Sequence, residues 1–174
     1  GATGYVGGEL LRLIAGHPGL ELHAATSDRQ AGTAIADQFP HLASHIDSNF
    51  VSTDDAMATL AARQSAAVFS AAPHGAAAAT IAATLDAAEA AGTSVHIVDA
   101  SADFRYADAD AYAAVYGHAH GAPERLPQFV SAVPEHLNET PAKHVGHPGC
   151  FATAMQLAIV PLLKHGLSKP ELVA

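Results

Sequence analysis

The chain is poor in cysteine and in basic residues. Of its 174 residues one is cysteine and none is tryptophan. A single cysteine excludes an internal disulfide, so we expect a reducing compartment, the cytoplasm. The 8 Lys and Arg residues stand against 17 Asp and Glu, and the net charge of -9 argues against nucleic acid or an anionic membrane as the main partner. No uninterrupted apolar run is long enough to cross a bilayer.

Apolar residues are plentiful enough for a packed core, since 49% of the chain is hydrophobic and 14% is charged. The length suits one domain, or one domain with part of another. The chain begins inside a glycine motif, and residues 171–174 (Glu-Leu-Val-Ala) are typical of the start of a strand. We therefore expect a fragment or a partly ordered chain, and not a complete enzyme.

A Gly-x-x-Gly-x-x-Gly motif opens the chain and runs into apolar residues at helical spacing. Glycines let a backbone turn tightly and approach the pyrophosphate of a dinucleotide at the start of a helix. This motif normally follows a strand, which is missing here, and a glycine turn without a ligand is the alternative. The predicted cofactor contacts in the turn are Gly1, Thr3, Gly4, Tyr5, Val6 and Gly7.

Residues 20–26 are predicted to form the second strand, which would end where the adenosine ribose of a dinucleotide lies. Ser27, Asp28 and Arg29 follow directly. An acidic residue at this place binds a free ribose 2′-hydroxyl, whereas Arg and Ser suit a 2′-phosphate. Because both types are present, the signal is mixed. We favour NADP(H) through Ser27 and Arg29, and a solvated polar loop is the alternative.

Helices and strands alternate along the rest of the chain. Predicted helices cover residues 34–39, 53–63, 76–91 and 107–117. Predicted strands cover residues 66–71, 94–98, 128–133 and 143–145. Thr53 is the expected N-cap of the second helix, and Gly92 the C-cap of the third, whose core face carries Ile81 and Leu85. This order predicts an α/β fold, a Rossmann-like doubly wound parallel sheet with helices on both faces.

Two polar segments are predicted to follow strands of this sheet, where ligands of such folds collect. The first contains Pro73 and His74, which we assign as candidate cofactor contacts. The second covers residues 99–105 (Asp-Ala-Ser-Ala-Asp-Phe-Arg).

Arg105 can hold a phosphate or a carboxylate with its planar guanidinium, and Ser101 and Asp103 can orient their neighbours. Ser101 and Arg105 are therefore candidate substrate contacts. The alternative is a capped loop in which Asp103 simply pairs with Arg105.

The single cysteine, Cys150, follows a Pro-Gly turn and precedes an apolar run with helical spacing. The sulfur is thus expected at a helix N-terminus, where free backbone N–H groups and the helix dipole favour a thiolate. The Cys150 N–H can also face an oxygen that gains negative charge when the sulfur attacks a carbonyl. His147 and Gly149 lie shortly before this residue and are candidate substrate contacts. A small buried hydrophobic residue is the alternative interpretation of the cysteine.

The chain contains 12 histidines, of which His118 and His120 form the closest pair. Zinc sites supply three or four ligands with characteristic spacing, and no second Cys/His pair has that spacing. We therefore predict no metal site. His74, His144 and His147 are of interest near a cysteine because an imidazole can activate a thiol, although a structural role is the alternative for each.

Five motifs occur in an informative order. They are Gly-Ala-Thr-Gly-Tyr-Val-Gly-Gly-Glu-Leu at 1–10, Phe-Pro-His-Leu at 39–42, Ala-Pro-His-Gly at 72–75, Asp-Ala-Ser-Ala-Asp-Phe-Arg at 99–105 and His-Pro-Gly-Cys-Phe-Ala-Thr-Ala at 147–154. Together they resemble the N-acetyl-γ-glutamyl-phosphate reductase family of arginine biosynthesis, in the semialdehyde dehydrogenase superfamily. The resemblance covers nearly the whole chain.

The resemblance implies an enzyme that reduces an acyl phosphate to an aldehyde with NADPH and releases phosphate. It implies that Cys150 is the nucleophile and carries a thioester. It also implies a homo-oligomer, a dimer or tetramer, that acts on a small-molecule substrate. Residues 1–149 would then form a dinucleotide-binding domain without its first strand, and residues 150–174 would begin an α+β substrate domain.

Family members are about twice as long, and their second half supplies a histidine acid/base. No histidine of this chain is therefore assigned that role, and the chain alone is expected to be inactive or nearly so. This sequence departs from the family's usual motifs at two places in the substrate pocket. His147 stands where the family usually has Asn, and residues 131–135 (Ser-Ala-Val-Pro-Glu) stand where it usually has a Tyr-Gly-Leu-Pro-Glu segment.

Two other functions stay open. One is a related reductase that acts on aspartyl phosphate or on a carrier-bound amino acid, against which the Pro-Gly-Cys turn argues. The other is a non-enzymatic dinucleotide-binding sensor in which Cys150 is only a core residue. Reactivity of the thiol separates the sensor from both enzymes.

Overall fold

The computed structural model describes residues 1–136, 143–169 and 171. The α-helices of this part are Tyr5–Ala15 (α1), Ile35–Gln38 (α2), Thr53–Leu60 (α3), Ala77–Ala91 (α4), Ala109–Tyr116 (α5) and Cys150–Lys164 (α6). Its strands are Ser65–Ser70 (β1), Ser94–Asp99 (β2), Phe129–Ser131 (β3) and His144–Gly146 (β4). Short 3-10 helices occupy Pro40–Leu42, Pro123–Gln128 and Pro134–His136. The strand start expected at 171–174 lies outside the described residues except for Glu171.

The four strands form one parallel sheet in the order β1-β2-β4-β3. β1 and β2 pair over six residues, from Ser65 opposite Ser94 to Ser70 opposite Asp99. β4 joins the carboxyl end of β2, where Val98 lies opposite Val145. The predicted α/β fold with a parallel sheet is confirmed. All of these strands point the same way, so the loops that follow them meet at one edge of the sheet.

One hydrophobic cluster packs α4 on the sheet. Ile81 and Leu85, at positions i and i+4 of α4, are 2% and 4% exposed, as their spacing predicts. They pack in one cluster with Val95 and Ile97 of β2. Each such side chain contributes about 1.5–3 kcal/mol when fully buried. A second cluster, containing Leu11, Ala25, Ile35, Leu42, Ile46 and Phe50, lies beneath the glycine turn.

The predicted C-cap of α4 is confirmed, whereas the predicted N-cap and last residue of α3 are wrong. Gly92 ends α4 in the left-handed conformation with φ +71°, as expected for a glycine C-cap. Ser52, and not Thr53, is the N-cap of α3, because its side chain accepts a hydrogen bond from the Asp55 N–H. This helix also ends at Leu60 instead of residue 63, since the Arg63 N–H turns back to the Leu60 carbonyl.

The strand predicted at 20–26 is wrong. Only Thr26 forms a bridge, a parallel one with Val51. A strand needs a neighbouring backbone for its hydrogen bonds, and the described chain supplies one only at this end. A groove of about 720 Å³ separates residues 20–26 from β1, with α1, α3 and α4 along its walls. The side-chain pattern of residues 20–26 suits a strand, but a strand forms only where a neighbouring backbone can take its hydrogen bonds.

None of the helices in the described residues is both long and apolar enough to cross a membrane.

Candidate active site

Three predicted segments meet at the carboxyl edge of the sheet. The loop after β1 contains Pro73 and His74. The last residue of β2 and the loop after it cover residues 99–105, and the turn after β4 leads to Cys150. Backbone hydrogen bonds join them in sequence: the Ala100 N–H donates to the Ser70 carbonyl, and the His147 N–H donates to the Asp99 carbonyl, both at 2.8 Å. The site is therefore assembled from residues far apart in the chain.

Asp103 holds the first two loops together. Its carboxylate is fully buried and accepts hydrogen bonds from the N–H groups of Gly75 at 2.7 Å and Ala78 at 2.9 Å. The hydroxyl of Tyr112 donates to the same carboxylate at 3.2 Å. Burial, together with the charge of Asp103, raises the pKa of Tyr112 to about 12, so this hydroxyl stays a donor.

The alternative pairing of Asp103 with Arg105 is wrong. The Asp103 oxygens accept hydrogen bonds from Gly75, Ala78 and Tyr112. The Arg105 Nε donates instead to the His147 carbonyl at 3.0 Å. The reason is location, since Asp103 faces the buried start of α4 and an anion is stabilised at a helix N-terminus.

Asp99 and Ser101 form a buried hydrogen-bonded pair within the segment 99–105. Asp99 is fully buried and accepts from both the N–H and the hydroxyl of Ser101, which is 1% exposed. Burial raises the pKa of the Asp99 carboxyl, and the hydrogen bonds from Ser101 oppose that rise. The Ser101 hydroxyl also accepts from the Asp103 N–H at 3.0 Å. Contact of Ser101 with substrate stays a prediction, and its contacts favour a role in holding the loop.

Arg105 reaches the turn before the cysteine because that turn is made of glycine. Gly149 has φ +100°, and a Cβ there would lie 3.0 Å from the Arg105 guanidinium carbon. A Cβ at Gly146 would lie 2.0 Å from the Phe104 carbonyl oxygen. Gly146 is thus required by the close approach of the loop after β2, whereas Gly149 is required by its positive φ.

Cys150 is the first residue of α6 and is exposed. No side chain caps this helix start, whose first N–H groups lack intrahelical partners. His147 braces the turn: its Nδ1 accepts from the Gly149 N–H at 3.1 Å, and its Nε2 lies 3.4 Å from the Thr153 hydroxyl. The turn thus brings together an exposed cysteine, the Arg105 guanidinium beside Gly149 and an uncapped helix start.

His74 faces the same loops, and its Nδ1 accepts from the Ala102 N–H at 2.9 Å. His144 is a core residue that is 3% exposed and accepts from the Ile97 N–H. Burial and the nearby charge of Lys143 lower the pKa of His144 to about 4, so it is neutral near pH 7. Of the histidines considered near the cysteine, only His147 touches its turn.

The remaining histidine pair is divided between two environments. His120 is buried, bonds the Asp103 carbonyl at 2.7 Å and stacks edge-on against Tyr112, whereas His118 is exposed. Among the described residues no group of three or more His, Cys, Asp or Glu side chains is placed to hold a metal ion.

The glycine turn lies beside this edge. A Cβ at Gly1 would lie 2.1 Å from the Ala71 carbonyl oxygen, and one at Gly7 would lie 2.3 Å from the Ala2 carbonyl oxygen. The turn therefore tolerates only glycine at both places. It leads into α1, whose start carries no side-chain cap and exposes Tyr5 by 90%. An uncapped helix start beneath a glycine turn fits the pyrophosphate of a dinucleotide.

The Ala2 N–H donates to the Thr26 carbonyl at 3.2 Å, which places the loop with Ser27 and Arg29 next to the glycine turn. Arg29 is exposed, and Ser27 is partly buried. Asp28 instead bonds Thr53 at the start of α3. Sequence reasoning missed this contact, because 25 residues separate the partners and no local motif connects them.

Comparison with known proteins agrees with this geometry. Residues 1–143 match the family model described as semialdehyde dehydrogenase, NAD binding domain. The chain is 45% identical over 173 residues to N-acetyl-gamma-glutamyl-phosphate reductase of Pseudomonas putida (strain W619), covering 98% of this chain and 48% of that protein. It is 45% identical to the protein of the same name from Azotobacter vinelandii, covering 97% of this chain and 47% of that protein. The chain spans about half the length of these curated relatives.

Proposed function

The chain belongs to the semialdehyde dehydrogenase family, in which its residues 1–143 correspond to the NAD-binding domain, and on this basis we propose that it carries the cofactor site and the nucleophile of an N-acetyl-γ-glutamyl-phosphate reductase. The reaction is the NADPH-dependent reduction of N-acetyl-γ-glutamyl phosphate to N-acetylglutamate semialdehyde, with release of phosphate. The names of the relatives support the substrate.

One observation carries the proposal. The Arg105 guanidinium lies against Gly149, directly before Cys150 at the uncapped start of α6. A cation held beside a nucleophile at a helix start is suited to a substrate that is an acyl donor and also carries a phosphate group. An acyl phosphate has both properties.

The chemistry follows from these positions. The Cys150 sulfur bonds to the acyl carbon, and the Cys150 N–H stabilises the oxygen that becomes negative. The bond from carbon to the phosphate oxygen then breaks, and phosphate leaves with its electron pair toward Arg105 and takes one proton from solvent. A thioester remains on Cys150. The reduced nicotinamide, when bound, supplies the hydride that brings this carbon to the aldehyde level. Rupture of the C–S bond releases the aldehyde and restores the thiolate.

The cofactor fits the glycine turn through its pyrophosphate, at Gly1, Thr3, Gly4, Tyr5, Val6 and Gly7. The proposal includes NADP(H), with Ser27 and Arg29 at the 2′-phosphate and Pro73 and His74 near the nicotinamide half. His147 and Gly149 frame the acyl group.

The proposal also covers the domain boundaries, the oligomeric state and the compartment of the enzyme. Residues 1–149 form the dinucleotide-binding domain, and residues 150–174 begin the substrate domain of a homo-oligomeric cytoplasmic enzyme. The exposure of α6 supports the division: none of its 15 described residues is buried, and Phe151 is 85% exposed. The lone cysteine supports a reducing compartment.

The experiment follows NADP reduction by the intact protein with N-acetylglutamate semialdehyde and phosphate, for the native enzyme and for Cys150→Ser. We expect phosphate-dependent activity that falls by about 1,000-fold or more in the variant. Met155→Leu, an exposed change on the same helix, is the matched control and keeps its activity.

Two other outcomes identify the alternatives. Activity with aspartate semialdehyde instead indicates the aspartyl-phosphate enzyme. A native protein that binds NADPH, shows no turnover and has an unreactive thiol indicates the sensor.

A further inference from the structure

Asp28 and Thr53 are joined at both oxygens of the carboxylate. The Thr53 N–H donates to Asp28 Oδ1 at 2.7 Å, and the Thr53 hydroxyl donates to Asp28 Oδ2 at 3.2 Å. Thr53 is the first residue of α3, so the carboxylate also lies at the positive end of a helix dipole. Each of these interactions stabilises the carboxylate at this place.

This carboxylate stands where a dinucleotide-binding fold selects its cofactor. Asp28 follows Thr26, whose carbonyl accepts from the Ala2 N–H of the glycine turn, and it borders the same groove as Gly1 and Gly7. In such folds an acid at this position accepts from the ribose 2′-hydroxyl of NAD(H) and repels the 2′-phosphate of NADP(H). Asp28 has the chemistry for NAD(H), but each of its oxygens accepts a hydrogen bond from Thr53, which turns the carboxylate toward the start of α3.

We propose that Thr53 is a positioning residue that sets the cofactor choice, by bonding the Asp28 carboxylate so that Ser27 and Arg29 receive the 2′-phosphate of NADP(H). The inference rests on the dinucleotide-binding function proposed above. It adds that the preference for NADP(H) depends on two features. Thr53 holds the Asp28 carboxylate away from the 2′-phosphate, and Arg29 supplies a positive charge to it.

Thr53→Pro tests the inference because it removes both donors at once. Proline lacks an N–H and a hydroxyl, yet it suits the first position of a helix. Ser52 precedes it with φ -68° and ψ 159°, an extended conformation that a following proline accepts. The Ser52 side chain still caps the helix through the Asp55 N–H.

Dissociation constants for NADPH and NADH are measured on the intact protein by calorimetric titration. In Thr53→Pro the released carboxylate binds the ribose hydroxyl of NADH and repels the phosphate of NADPH. We expect the preference for NADPH over NADH to fall by about tenfold or more. Thr53→Ser keeps both donors and the native preference, and Thr53→Ala keeps only the N–H and falls between them. Asp28→Asn, added to Thr53→Pro, restores the preference because it removes the negative charge.

The outcomes separate the two proposals. Native protein that binds neither dinucleotide overturns the proposed function and this inference with it. Native protein that binds NADPH, with a preference that Thr53→Pro leaves unchanged, overturns this inference alone. If Thr53→Pro weakens the binding of NADPH and NADH equally, the inference is also overturned, since that result shows only a structural role for Thr53. A native preference for NADH does the same.

Discussion

Two neighbouring segments of the site are held in opposite ways. The loop 99–105 is built around buried groups: Asp99, Ser101 and Asp103 are each at most 1% exposed and are bonded to one another or to the loop after β1. Helix α6 carries Cys150 but contributes no buried residue to the described chain. The loop that carries Arg105 is thus fixed by buried groups of this chain, whereas the helix that begins at Cys150 has no buried residue of its own.

The difference shows where rigidity comes from. A fully satisfied buried network holds one geometry, because moving any member leaves a charge or an N–H without a partner. The exposed helix is held more loosely, by the Gly149 turn, the His147 hydrogen bonds and a hydrogen bond from the His136 ring to the Gln156 carbonyl. Four measurements test this contrast, starting with the largest expected effect.

Replacement of Asp103 by Asn breaks the buried network. The Asn amide places N–H donors against the N–H of Gly75 or Ala78, so one buried donor loses its acceptor. We expect the free energy of unfolding to fall by about 3 kcal/mol. Urea denaturation measures it, with the exposed Asp47→Asn as control. A loss equal to that of the control contradicts the role assigned to Asp103.

Acid is expected to lower the stability of the folded chain through His144. This residue begins β4, the strand that leads to the cysteine turn. Its pKa is lowered to about 4 in the folded chain, while the unfolded chain binds the proton at the ordinary value of 6.5. The stability this residue contributes is therefore complete above about pH 6.5 and is lost as the pH falls toward 4. Between pH 7.5 and pH 5 we expect a loss of about 2 kcal/mol from this group.

The contribution of His144 is isolated by His144→Asn, whose amide oxygen can accept from the Ile97 N–H in place of Nδ1. Urea denaturation at the two pH values measures both proteins, and the variant should lose less stability than the native chain. The exposed His45→Asn should keep the native pH dependence. Equal pH dependence in all three proteins contradicts the prediction.

Arg105→Lys separates charge from geometry. Lysine keeps a positive charge but cannot donate to the His147 carbonyl and reach a phosphate with one planar group. We expect kcat/KM for phosphate in the reverse reaction to fall by about tenfold, with little change in the unfolding midpoint. Arg12→Lys, on an exposed ion pair with Glu9, is the control. Unchanged use of phosphate by Arg105→Lys argues against a phosphate site there.

The smallest effect is expected on α6. Met155 is 58% exposed, so Met155→Gln should change the stability of the 174-residue chain by less than about 0.5 kcal/mol. Ile81→Ala in α4 is the contrasting core change, with an expected loss of about 3 kcal/mol. Similar losses for the two variants would mean that α6 packs on the chain as firmly as α4 does.

Local patterns were sufficient for much of the architecture. The alternation of helices and strands, the core face of α4 and its glycine cap all follow from side-chain spacing and from a left-handed backbone conformation that glycine adopts most readily. The same is true of the cysteine at a helix start, because a Pro-Gly turn before an apolar run is a short-range signal.

Tertiary structure decided which groups pair. Asp103 stands two residues from Arg105 but bonds to the start of α4, and Asp28 bonds to Thr53 across 25 residues. Residues 20–26 have the composition of a strand and lack a ladder, since the segment meets another backbone only at its end, at Ala25 and Thr26. Helix propensity, caps and turns act within a few residues and can be read along the chain. Hydrogen-bond partners and strand neighbours are chosen by the fold, because distant groups compete for the same donors once they are buried.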